Sequence, residues 1–123
     1  MYVEFNPNTC GKSTGDCVIR AISIVLEKTW EQAYIELTIQ GLMDCDVLSN
    51  NEVWGNYLRR KGFKRYIIPD TCPNCYTVED FCRDHPYGEY VLATGNHAIA
   101  AINGNWIDAW DSGRETVIYY FQR

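Results

Sequence analysis

Residues 97–108 read HAIAAINGNWID, and this stretch decides the fold. Two β-prone runs flank Asn103-Gly104. An Asn-Gly pair in that setting is the strongest short-range signal for a hairpin with a two-residue type I′ turn. Such a turn pairs Ile102 with Asn105, sets Ile99 opposite Asp108 and sets His97 opposite Trp110. Paired residues share a face, and faces alternate with a period of two. His97 and Asp108 are then diagonal neighbours on one face, and Asp111 falls on the other. Trp106 and Trp110 share the His97 face, where they either wall a cleft or pack as plain sheet core.

Around the hairpin, EYVLAT (89–94) and TVIYYF (116–121) read as further strands, and FKRYII (63–68) as one more, ended by Pro69. Helices come before them. CVIRAISIVLEK (17–28) keeps its polar residues Arg20, Ser23 and Glu27 on one narrow stripe, the pattern of a buried helix. Asp16 stands at its N-cap position, so Cys17 opens it. Thr29 and Gln32 form a capping-box pattern for a second helix with Trp30, Ala33, Tyr34 and Leu37 on one face. A third helix runs from near Ser49 to Gly62, and a short fourth begins at Thr77 and stops before Pro86. The first fifteen residues read as loop. Helices followed by an antiparallel sheet make one α+β domain over residues 1–123.

With 123 residues, 46% hydrophobic and 22% charged, the chain has enough apolar material for a core without metal or disulfides. No apolar run approaches a membrane span. The net charge of −5 argues against a general nucleic-acid surface. A local exception is RRKGFKR (59–65), read chiefly as a solvated helix end and otherwise as a contact for a polyanion. The N-terminus lacks a basic start followed by an apolar stretch. The six cysteines are therefore expected as reduced thiols in the cytoplasm.

Cys17 is the first candidate for chemistry. A thiol at a helix N-terminus sees the positive end of the dipole and free N–H groups, which favour thiolate. His97, one of two histidines, opens a strand after a Gly-Asn break and so sits at the rim of the sheet. A nucleophilic cysteine needs such a base, and the base needs a third group to hold its tautomer. The hairpin register offers Asp108 for that role. Asp111 reads instead as a turn residue in Asp-Ser-Gly.

The order of these residues, with the strings GDCVIRA and NHAIAAINGNWIDAWDSG, resembles the papain-like cysteine peptidase superfamily. The likeness is greatest to compact bacterial and phage-encoded members similar to the bacteriocin-processing double-glycine peptidases. The resemblance implies a papain-like fold and a hydrolase of amide or isopeptide bonds that needs no cofactor. It makes Cys17 the nucleophile, His97 the base and Asp108 the orienting acid. It implies a protein or peptide as substrate, with no nucleic acid and no membrane as partner. In that superfamily a glutamine before the cysteine often completes the oxyanion hole. NPNTCGKSTGD has none, so Asn8, Lys12 or backbone N–H groups are expected to supply the donor. The rival reading is a non-enzymatic protein-binding module, papain-like or stabilised by zinc.

Cys72, Cys75, Cys82 and His85 have the spacing C-x2-C-x6-C-x2-H, which satisfies tetrahedral zinc on paper. The short loop and the large apolar core favour a packed loop without metal. No thioredoxin-like strand and helix surround the CxxC pair.

Overall fold

A computed structural model describes all 123 residues, Met1–Arg123. The chain forms four helices and a six-stranded sheet in the order β1(Tyr2–Glu4), α1(Cys17–Val25), α2(Trp30–Met43), α3(Asn51–Arg60), β2(Lys64–Ile67), α4(Val78–Asp84), β3(Glu89–Ala93), β4(Ala98–Ile102), β5(Asn105–Asp108) and β6(Tyr119–Gln122). The sheet runs β1-β5-β4-β3-β6-β2. It is mixed, because β1 pairs parallel with β5 while every other pair is antiparallel.

Two expectations need correction here. The lead-in is not all loop, and the sheet is not wholly antiparallel. Three residues of an exposed edge strand carry no alternation long enough to read. Tyr2 meets Trp106 and Glu4 meets Asp108 only through pairing across the length of the chain.

The deciding hairpin forms in the expected register. Ile102 pairs with Asn105 and Ala100 with Ile107. Asn103 and Gly104 both have positive φ, 50° and 79°, as a type I′ turn requires. Local capping also follows the chain's own chemistry. Thr29 and Thr77 close capping boxes with Gln32 and Asp80. The third helix is capped by Asn50, one residue beyond the expected Ser49, because the Asn50 side chain accepts from the Glu52 N–H.

Each face of the sheet buries its own core. On one face α1, α2 and α3 pack Ile22, Leu37, Trp54 and Leu58 against Val91, Ala100 and Phe121. On the other, α4 packs Val78 and Phe81 against Leu92, Ile99, Ala101 and Trp106. The small alanines of β4 let α1 lie close on the sheet, which brings the start of α1 to the rim where β4 begins.

Behind that rim, residues 109–113 turn tightly under Trp106. A Cβ on Gly113 would stand 2.7 Å from the Trp106 ring. Gly113→Ala is expected to cost about 1–3 kcal/mol, the usual penalty for overpacking. Urea denaturation of the variant beside the parent protein measures it.

Candidate active site

Cys17 is the first residue of α1, and its helix lacks a side-chain cap. Asp16 has the N-cap position, but its carboxylate is used elsewhere. It pairs with Arg20, and its Oδ2 accepts from Trp30 Nε1 at 2.9 Å and from Asn8 Nδ2 at 3.3 Å. The first helical N–H with an acceptor is that of Arg20, on the Asp16 carbonyl. The N–H groups of Cys17, Val18 and Ile19 are left free, so the positive end of α1 is open beside the thiol.

His97 precedes β4 by one residue, and Asp108 is the last residue of β5. His97 Nε2 lies 2.6 Å from Asp108 Oδ2. That contact leaves Nδ1 unpartnered, and His97 and Cys17 line the same cleft. The backbone N–H of Ala98 adds to the pull of His97 toward the ionised sulfur. The two side chains of the His–Asp pair are 8% and 3% exposed, so water barely screens their contact.

Asp108 is held from four sides. Its Oδ2 accepts from Ser112 Oγ at 2.7 Å as well as from His97, and its Oδ1 accepts from the Ala109 N–H at 2.7 Å and from Arg20 Nη2 at 3.4 Å. Burial works against the ionised carboxyl, but the bonds from His97 and Ser112 outweigh it and hold Asp108 below the usual carboxylate range. Burial likewise opposes imidazolium, yet the bonds to Asp108 and Cys17 push His97 up to about 9. For Cys17, burial opposes thiolate, while the bonds from His97 and Ala98 and the charges of His97 and Arg20 pull the thiol down. Near neutrality His97 is thus an imidazolium, beside a thiol whose ionisation it favours. Asp16, Arg20, Asp108 and His97 alternate in sign along one line that leads to Cys17.

Trp110 roofs the imidazole. Their ring centroids are 4.8 Å apart at 28°, the stacking expected of residues opposite each other in the hairpin register. Trp106 takes the second of its two expected roles: it packs in the α4 core and donates its Nε1–H to Asp111 Oδ1 at 2.9 Å. Asp111 also accepts from the Gly113 N–H at 3.0 Å, so it is a turn residue and stands away from His97.

The cleft over Cys17 has a volume of about 290 Å³. Residues 15–19 of α1 and its lead-in form one side and residues 93–98 another; Leu48, Ser49, Asn51, Trp54 and Tyr119 complete it. Neither Asn8 nor Lys12 lines it, which corrects the expected oxyanion donors. Asn8 is buried with its amide on Asp16. Lys12 is exposed and borders a different hollow, with Glu4, Phe5 and Trp110. The free N–H of Cys17 and the Asn96 side-chain amide, which makes no hydrogen bond, are among the donors the cleft does offer.

The cysteine cluster is dispersed. Cys72 and Cys75 are joined in a disulfide, which corrects the expectation of six reduced thiols. Cys82 is buried and its thiol is pushed up to about 11 by that burial. His85 stacks on Phe81, with Nδ1 at 2.8 Å from the Phe81 carbonyl. No group of three or more His, Cys, Asp or Glu side chains is placed to hold a metal ion. No helix is long and apolar enough to cross a membrane.

Reasoning from sequence missed Arg20, Ser112 and the second use of Asp16. Arg20 sits four residues after Asp16 on an otherwise apolar helix, and that spacing was the available signal for a buried ion pair. Compared with known proteins, the chain matches no family model, no curated protein and no solved structure.

Proposed function

We propose that this chain is a papain-like thiol hydrolase that cleaves an amide or isopeptide bond in a protein or peptide. The observation that carries the reading is the His97–Asp108 bond set in one cleft with Cys17, at an uncapped helix start. The Cys17 thiolate attacks the scissile carbonyl carbon, and the new oxyanion meets the free Cys17 N–H. The His97 imidazolium gives its proton to the departing amine as the C–N bond breaks, leaving a thioester on Cys17. Neutral His97 next takes a proton from water. The hydroxide adds to the thioester, the carboxylic acid leaves, and the thiolate–imidazolium pair is restored. Asp108 keeps the imidazole in place and stabilises its charged form throughout. The reading places the chain in the cytoplasm, with the Cys72–Cys75 pair on a loop open to reductants.

A second reading, a non-enzymatic binding module, is favoured by one observation: Asn8 and Lys12 stand off the cleft. Alkylation separates the two. An ordinary thiol of pKa ~8.5 is only about 0.3% thiolate at pH 6. An ionised Cys17 is expected to react with iodoacetamide at pH 6 on the order of tenfold or more faster than the exposed Cys10 and Cys45, after allowance for the lower nucleophilicity of a low-pKa thiolate. Peptide mapping by mass spectrometry reads this directly. Equal labelling of the three thiols removes the hydrolase reading and leaves the binding module.

A further inference from the structure

At one end of the cleft Trp54 and Tyr119 begin a run of aromatic rings that carries two arginines just outside the cleft lining. Trp54 and Tyr119 both line the cleft, and their rings stack with centroids 6.1 Å apart. Phe121 continues the wall, 5.5 Å from Trp54 and 6.1 Å from Tyr119. The Arg65 guanidinium lies over the Tyr119 ring, 4.2 Å from its centroid. The Arg59 guanidinium lies 5.8 Å from the centroid of Phe121, with Asn56 Oδ1 as its hydrogen-bond partner at 3.2 Å. Gly55 leaves the room for this, since a Cβ there would stand 3.3 Å from Phe121 and 3.6 Å from Arg59.

These arginines belong to the basic run 59–65, which α3 and β2 fold apart. Arg60 turns to Gln40, and Lys61 pairs with Glu36. Lys64 pairs with Gln122 in the ladder, so the strand's alternation points it away from the Arg65 face. Arg59 and Arg65 alone meet the aromatic wall. Both are exposed and neither makes a salt bridge, whereas Arg20, Arg83 and Arg123 each have an acidic partner. A ring face orients a guanidinium while leaving its N–H fork free to take a carboxylate through two bonds.

Resting on the thiol-hydrolase reading, we infer that the cleft selects an acidic peptide, with a glutamate or aspartate seated on the Tyr119 side. Arg65 binds its carboxylate, and Arg59 adds a second positive charge. The net charge of −5 repels acidic peptides as a whole, so any preference for them originates in this corner.

The test uses two kinds of electrophilic peptide, because the peptide can extend from Cys17 in either direction. One kind is a C-terminal chloromethyl ketone and the other is bromoacetylated at its N-terminus. Each is made once with glutamates and once with lysines at its variable positions. Rates of Cys17 alkylation are expressed relative to iodoacetamide on the same protein. In at least one orientation the glutamate probe is expected to react about tenfold faster than the lysine probe, as one well-formed charge contact supplies. Arg65→Ala should bring that ratio to about one, and Lys64→Ala should keep it. Equal rates in both orientations, an unchanged ratio in Arg65→Ala, or its loss in Lys64→Ala overturns the inference. If iodoacetamide singles out Cys17 while the probes do not differ, the acidic preference fails alone. If iodoacetamide does not single out Cys17, the hydrolase reading fails and takes the preference with it.

Discussion

Replacing His97 with alanine is expected to reduce turnover about as far as replacing Cys17 itself, on the order of 10⁶-fold, with the double variant no worse than either single one. The reason is that the two side chains act as one unit. The imidazole shares the cleft with the sulfur, and its charge favours the ionised sulfur. Without it, burial pushes the thiol upward and no proton donor faces the leaving amine. Alkylation of Cys17 at pH 6 should therefore collapse in His97→Ala, which a purely structural histidine would not cause. Losses that multiply in the double variant would show that the two residues act separately. Turnover assays and the alkylation profile measure both parts.

Asp108→Asn is expected to lower turnover by about 10³–10⁴, the scale seen when the orienting acid of a serine triad becomes an amide. Asparagine keeps the shape and can still accept from Ser112, but it no longer balances the imidazolium. The alkaline limb of the pH–rate profile, set by loss of the His97 proton at about 9 in the parent, should move toward 6.5. The sign follows from the ionised carboxylate, which raises the histidine; its removal lowers it. Arg20 keeps Asp16 as its partner, so the variant is expected to fold, which circular dichroism checks. Asp111→Asn should leave turnover within a few-fold, because an amide oxygen also accepts from Trp106 Nε1 and the Gly113 N–H. A crippled Asp111 variant beside a healthy Asp108 variant would overturn the assignment.

The hairpin and the His97–Asp108 pairing were legible because an Asn-Gly turn leaves little freedom in register, and register fixes which side chains can meet. The capping boxes at Thr29 and Thr77 were legible for a similar reason, since their chemistry is complete within four residues. What could not be read depends on distant partners. Tyr2–Glu4 is a strand only because β5 presents an edge to it. Asn8 reads as a free donor until Asp16 is seen beside it. Asp16 reads as a cap until Arg20 and Trp30 claim its carboxylate. Trp106 shows a further limit: parity placed it correctly within the ladder, but beyond the last ladder pair the backbone turns, and His97 and Asp108 leave the plane that parity describes.

The ion-pair line is divided in time as well as in space. Asp16 and Arg20 lie one helical turn apart and can meet as soon as α1 exists, whereas 88 residues separate Arg20 from Asp108. During synthesis Cys17 leaves the ribosome well before His97 and Asp108. Contacts at such separation form late, because the chain must first lose the entropy of closing a long loop. A nascent or partly folded chain thus carries Cys17 as a dormant thiol. On the proposed hydrolase reading, activity arrives only once β4 and β5 are in place, which would leave incomplete copies harmless to the peptides around them.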